Sequence, residues 1–273
     1  MHKVAPFGMA MLFILSQLVG MIVAEPFKEA SFSAFPEPDN PMNIVQIFVV
    51  LIVFTMLILL IAKYKEKLVK YVILIAFFLA SISIFQAFFY FVNESLASLL
   101  ALITAIVMLI LLIRYPEWYV IDTFGIFLAG GISAIFAISL ATKYIILLLV
   151  ALAVYDFISV YKTKHMVELA KTITSDNLPL LMIFPKKTDF SYMKSEFGKE
   201  RDAIYMGLGD IIIPGILIIA SYMEKGIAGF IATLIGALVG YSILMFQISK
   251  GPQPGLPYLN AGVIAGYIII HCL

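Results

Sequence analysis

The chain is a succession of long apolar runs separated by short polar breaks. About 20 apolar residues in a helix cross the hydrocarbon core of a bilayer. On that ruler nine runs predict transmembrane helices, at residues 6–23, 44–62, 68–92, 96–113, 118–140, 143–161, 203–222, 226–248 and 255–272. The expected fold is an all-α polytopic membrane protein of nine transmembrane helices. It divides into residues 1–161 with six helices, a polar loop at 162–202, and residues 203–273 with three. Only Asn93-Glu94-Ser95 separates the third run from the fourth, so those two form a tight hairpin. Gly130-Gly131 sits inside the fifth run, where small residues permit close helix packing. The first run follows Lys3 and ends near Ala24, as a signal peptide does. Its roughly 18 apolar residues exceed the usual 7–15 of such a core, so it is read as a retained helix. Residues 25–43, with Pro26, Pro36, Pro38 and Pro41, read as an irregular polar loop.

Composition agrees with this pattern. Of 273 residues, 63% are hydrophobic and 13% charged, with a mean hydropathy of +1.06. Ordinary globular domains are about a quarter charged, so a soluble domain is excluded. A net charge of +1, with no basic stripe outside the membrane loops, argues against nucleic acid as a partner. Cys272 is the single cysteine and forms no intrachain disulfide. Lys and Arg accumulate on the cytoplasmic side of membrane proteins. With the N-terminus inside, 15 of the 18 basic residues lie on the inner side, and Lys28, Lys143 and Lys225 lie outside. The expected orientation is N-terminus cytoplasmic and C-terminus outside. The 162–201 loop carries eight basic and five acidic residues, a balance that holds it near an anionic inner leaflet. Within it, residues 178–184 are apolar but too short to span. They lie in the interface or, in a sharper reading, cover a site until a substrate displaces them.

The candidate chemistry rests on two aspartates. Asp210 closes Gly207-Leu208-Gly209-Asp210 inside the seventh run, and Asp156 lies in the sixth. An ionisable residue within a membrane span is expensive and marks a functional site by default. Asp156 precedes Lys162 by six residues, roughly 9 Å along a helix. Asp210 follows Asp202 by eight, roughly 12 Å. On antiparallel helices the two therefore reach similar depth on the cytoplasmic side. Two close carboxyls in low dielectric tend to share one proton. The ionised member can take a proton from an attacking water, and the protonated one can polarise the scissile carbonyl and protonate the leaving nitrogen. The sequence leaves the assignment of these roles open, and the pair titrates as one unit.

The surroundings suit that task. Gly207 and Gly209 bare the helix beside Asp210 for a close backbone, that of the sixth helix or of a substrate. Pro214 removes the N–H that would bond the Asp210 carbonyl, which loosens the helix there. Tyr155 can donate a hydrogen bond or line the site, and is equally a core aromatic. The Gly251-to-Leu259 stretch holds three prolines, Pro252, Pro254 and Pro257, which prevent regular helix. Its free backbone groups would cap the ninth helix or pair with an extended substrate. Arg114, Glu117, Asp122 and Glu224 lie near span ends and can snorkel to an interface. An ion-coupled transporter or cation channel would also use two such aspartates, but leaves the proline segment unexplained. A passive scaffold leaves the aspartates unexplained. His2, His165 and His271 are scattered and there is no H-E-x-x-H, which disfavours a zinc site. No G-x-S-x-G is present either.

These segments together resemble the presenilin and signal peptide peptidase family of intramembrane aspartyl proteases. Ala153-Val154-Tyr155-Asp156 with Val160 resembles the family's YD motif. Gly207-Leu208-Gly209-Asp210 matches its GxGD motif, and Pro254-Gly255-Leu256-Pro257 resembles its PAL motif with Gly255 in place of Ala. The resemblance implies cleavage of single-pass membrane proteins within the bilayer, with no metal or cofactor. It implies catalysis by Asp156 and Asp210, and active-site shaping by Pro254, Gly255 and Leu256. A cytoplasmic N-terminus is similar to presenilin and opposite to signal peptide peptidase. The chain lacks the long hydrophilic extensions of animal presenilins and so looks like a compact microbial member, in a cell membrane. In presenilins the long loop is self-cleaved, which makes 162–201 a candidate for the same cut. The sequence leaves accessory subunits and homo-oligomerisation open.

Overall fold

In hydrocarbon every backbone N–H and C=O must be satisfied within the protein, so apolar runs of this length fold as helices. A computed structural model describes residues 4–30, 32–64, 66–163, 180–187, 190–193, 203–248 and 253–272. Six helices come first: α1 (Val4–Glu29), α2 (Met42–Tyr64), α3 (Glu66–Tyr90), α4 (Glu94–Arg114), α5 (Trp118–Ser139) and α6 (Thr142–Ile158). A π-helical turn, Ser159–Thr163, ends α6. Strands β1 (Leu181–Pro185) and β2 (Ala203–Gly207) precede α7 (Leu208–Ile248) and α8 (Leu256–Cys272). Among the described residues, seven helices are long and apolar enough to cross a membrane, and α8 is a shorter apolar helix. The chain is an integral, multi-pass membrane protein.

Several expectations change. The fold is not all-α, because the seventh run begins as a strand. Ala203–Gly207 pairs antiparallel with Leu181–Pro185, with Leu181 opposite Gly207 and Pro185 opposite Ala203. The Leu208 N–H then donates to the Leu180 carbonyl at 3.0 Å. The ladder thus leads directly into α7 and satisfies one of its orphan N-terminal donors. Residues 181–184 are therefore neither an interfacial segment nor a cover. Met182 and Ile183 are fully buried, and β1 lines no part of the large cavity described below. Most of the loop, and with it the expected self-cleavage region, lies outside the described residues.

The seventh and eighth runs join in the 41-residue α7, whose helical path breaks at Gly226 with φ 63° and ψ −149°. That conformation is open essentially to glycine alone. Pro214 does not break α7; the backbone keeps helical angles through it. Nor does Pro257 delay α8, which starts at Leu256. In a first turn the missing proline N–H has no helical partner to lose. Gly251 and Pro252 lie outside the described residues.

Helix α5 is the central post. It packs against α1, α3, α7 and β1. Gly130 and Gly131 do not interrupt it; a Cβ at Gly130 would lie 2.3 Å from the Ser16 carbonyl oxygen, and one at Gly131 would lie 2.3 Å from Ile84 Cγ1. The pair is what lets α1 and α3 approach. The second arm of α7 meets α8 even more closely. A Cβ on either Gly236 or Gly262 would lie 2.2 Å from the other's carbonyl oxygen, and one at Gly240 would lie 2.2 Å from that of Tyr258. Gly236/Gly240 and Gly262/Gly266 are G-x-x-x-G pairs, which bring membrane helices into backbone contact. Helix α2, by contrast, leaves most of its apolar side chains exposed.

At the opposite end of α6 from Asp156, Glu224 gathers three helices. It accepts hydrogen bonds from Thr142 Oγ1 at the start of α6 and from Tyr267 Oη on α8, the latter at 2.9 Å. His271 Nε2 lies 3.2 Å from the same carboxylate, and beside it Lys143 pairs with Asp39 at 2.6 Å.

Candidate active site

Asp156 is carried near the end of α6, just before the π turn, and Asp210 in the first turn of α7. The contact between Thr142 and Glu224 explains why they stand level. Thr142 precedes Asp156 by 14 residues and Glu224 follows Asp210 by 14, about 21 Å of helix in each case. The depth expected from Asp202 assumed helix through 203–207. That stretch is extended, so the shared far end is the sound reference.

The two carboxyls line one cavity of about 740 Å³ between α2, α6 and α7. They are near enough for their charges to interact. Tyr155, Gly207, Gly209 and Leu256 line the same cavity, and Leu51 and Thr55 of α2 face it from the far wall. The backbone before α8 reaches the dyad directly. Leu256 N–H donates to Asp156 Oδ2 at 3.1 Å. Gly255 lies against the other carboxyl: a Cβ there would be 3.1 Å from Asp210 Oδ1 and 3.2 Å from Oδ2. Within the chain, the close backbone approach to Asp210 lies at Gly255. Among the described residues, a Cβ at Gly209 would meet nothing within 4 Å, and one at Gly207 would meet only the Asp210 carboxyl, at 3.3 Å. A smaller hollow of about 150 Å³ lies beside Asp210 and Gly255, lined also by Tyr205 and Gln253.

Other expected site residues sit elsewhere. Leu208 is buried, facing Gly125 of α5. Pro257 lines a separate groove with Phe157 and Asn260. Pro254 is buried and lines neither this groove nor the main cavity.

Several supports were not foreseen from the sequence. Gln17 Nε2 on α1 donates to the Ile211 carbonyl at 3.3 Å, and Ser133 Oγ on α5 to that of Ile212 at 3.0 Å. Gly215 makes room for both, since a Cβ there would lie 2.5 Å from Gln17 Oε1 and 2.6 Å from Ser133 Oγ. These bonds hold the Ile211 and Ile212 carbonyls, next to the Asp210 carbonyl that Pro214 leaves without a helical donor. Ser16-Gln17 is the polar pair in the middle of the first apolar run, and polar residues at that depth were the available signal. Asn260 Nδ2 donates to the Leu149 carbonyl at 2.8 Å, and Tyr161 Oη to Gln253 Oε1 at 2.7 Å. Together they moor the start of α8 to α6. Outside the spans, burial pushes the Tyr192 phenol up to about 12, with Tyr205 nearby adding to it.

Residues 10–273 match the family model described as signal-peptide peptidase, presenilin aspartyl protease. Two solved structures of a presenilin family intramembrane aspartate protease superpose on the chain. The one in space group P2 has a TM-score of 0.75 and 31% identity, covering 97% of this chain and 96% of that one. The one in C222 has a TM-score of 0.72 and 29% identity, covering 96% and 95%. The signal peptide peptidase of Mus musculus is 30% identical over 164 residues, which is 56% of this chain and 40% of that protein. That of Homo sapiens is 29% identical over 164 residues, 56% of this chain and 41% of that protein. The matched part therefore spans about two-fifths of these curated relatives.

Proposed function

The chain belongs to the signal peptide peptidase and presenilin aspartyl protease family, and from that premise we propose that it is an intramembrane aspartyl endopeptidase whose dyad is Asp156 and Asp210. The observation that carries this reading is a single one. Two carboxyls from successive helices share one membrane-level cavity, with a backbone amide of a third helix already bonded to one of them. One carboxylate takes a proton from water as the water oxygen bonds to the scissile carbonyl carbon. The protonated partner hydrogen-bonds the carbonyl oxygen and then protonates the leaving nitrogen as the C–N bond breaks. Residues 253–255 precede α8 as irregular backbone, which is tolerated at membrane depth only when buried or lining a wet cavity. Its free groups can hold an unwound substrate strand.

The substrates are transmembrane segments of single-pass proteins, reached from within the bilayer. As one straight helix α7 would extend about 62 Å, twice the ~30 Å hydrocarbon core. The break at Gly226 supports two spans in α7 and nine in all. The Lys and Arg bias supports a cytoplasmic N-terminus, in the cell membrane of a microbe.

The test is cleavage of a fluorescent single-pass substrate by purified protein in proteoliposomes, beside Asp156→Asn and Asp210→Asn. Wild-type cleavage with each folded variant silent is expected. Cleavage surviving either substitution, or a proton or cation flux abolished by both in a protein that never cuts, would overturn the reading.

A further inference from the structure

Helix α5 carries a third intramembrane carboxylate that this chemistry leaves unused. Asp122 was expected to snorkel, but it is 3% exposed. Its Oδ1 accepts from the Ile183 N–H at 2.8 Å, while among the described residues its Oδ2 has no hydrogen-bond partner. A buried carboxylate so poorly satisfied is costly. Stability alone gives no reason to keep it.

What Asp122 holds is the hairpin. Ile183 is the middle residue of β1, opposite Tyr205 of β2. Two residues back along β1, Leu181 is opposite Gly207, and the Leu180 carbonyl bonds the Leu208 N–H. One turn further along α5, Gly125 clears the surface. A Cβ there would lie 3.3 Å from both Met182 Cε and Leu208 Cδ2. The Asp122–Gly125 face of α5 therefore receives the middle of β1 and the first residue of α7 together. Glu117, near the start of α5, continues the grip by accepting from Ser191 Oγ at 2.6 Å and Tyr192 N–H at 2.9 Å.

We propose that Asp122 is a positioning residue for the dyad. It fixes β1 to α5, and through the β1–β2 ladder it sets where the strand ends and the Asp210 turn begins. The kinetic consequence rests on the protease reading; the docking itself does not. Asp122→Asn keeps an oxygen acceptor at the same reach. Asp122→Leu removes it at similar volume, and Asp122→Ser, whose hydroxyl oxygen sits one bond nearer the backbone, withdraws it from that reach without bulk should the leucine fail to fold.

The experiment uses the full chain in proteoliposomes and reads both cleavage kinetics and amide hydrogen exchange. The Asn variant is expected within about twofold of the wild-type kcat. The Leu or Ser variant is expected to lose roughly ten- to hundredfold in kcat with KM little changed, the scale set by an orphaned buried donor. In the same variants, exchange at residues 203–208 accelerates while α3 and α4 keep their protection. Wild-type kcat and exchange in both the Leu and Ser variants would overturn the proposal. So would an Asn variant as impaired as the Leu variant, or a loss confined to KM. If the wild type cuts nothing, the protease reading falls and the exchange result alone decides the role of Asp122.

Discussion

Gly236→Ala places a methyl where α7 and α8 touch backbone to backbone. The new Cβ would lie 2.2 Å from the Gly262 carbonyl oxygen and 3.2 Å from Gly266 Cα. A carbon–oxygen contact of this kind relaxes to about 3.3 Å, so the helices must part by about 1 Å. Overpacking on that scale costs about 1–3 kcal/mol. The shift also travels. Gly262 follows Leu256 by six residues, about 9 Å of helix, and at Leu256 the backbone meets Asp156. A misplacement of about 1 Å originating far from the chemistry can lower a rate about 100-fold. The assay pairs thermal unfolding of the purified protein with substrate cleavage in proteoliposomes. Gly209→Ala is the counterpart: it adjoins Asp210, yet its Cβ meets nothing within 4 Å among the described residues. Its stability is expected within about 0.5 kcal/mol of wild type. A Gly236→Ala protein that unfolds at the wild-type temperature and cuts at the wild-type rate would refute the reasoning. So would a Gly209→Ala protein destabilised as much as Gly236→Ala.

Two further outcomes follow from single contacts. Gly255→Ala sets a methyl 3.1 Å from Asp210 Oδ1, and turning the carboxyl away costs about 0.5–1.5 kcal/mol. A fall in kcat of roughly three- to tenfold at little-changed KM is expected, and an unchanged kcat would mean the carboxyl has room to yield. Tyr241→Phe removes the 2.8 Å bond from the Tyr241 hydroxyl to the Pro6 carbonyl. It should lower stability by about 1 kcal/mol in thermal unfolding while leaving kcat near wild type; equal stability would assign that bond no net contribution.

Much of the architecture was legible in the sequence because the bilayer imposes a length rule that most of the apolar runs obey. That Asp156 and Asp210 would face one cavity was legible because ionisable residues are rare at such depth. The strand at Ala203–Gly207 was not. Its five residues are apolar and run without a breaker into a helical stretch, and such a run gives no period to separate strand from helix. Its partner Leu181–Pro185 lies across a long loop, so the pairing is invisible locally. Pro179 and Pro185, which bracket the short apolar stretch, were the available hint. The Gly236/Gly240 and Gly262/Gly266 spacings are packing motifs visible in the sequence itself. For Asp122 sequence reasoning had no purchase. Whether a carboxylate near a span end reaches water or a strand amide depends on what the fold lays over it.

The Glu224 cluster makes α6 and the first arm of α7 two levers on one fulcrum. Each carboxylate of the proposed dyad sits about 21 Å from that pivot. On arms of this length a relative rotation of about 3° alters the gap between the tips by about 1 Å. That is far smaller than the 15–20° scatter among ordinary helix crossings. The gauge of the dyad is thus set at the opposite face of the membrane, by Thr142, Tyr267 and His271 closing on one glutamate. An angular change too slight to alter the outline of the bundle is enough to bring the two carboxyls to working distance or to part them.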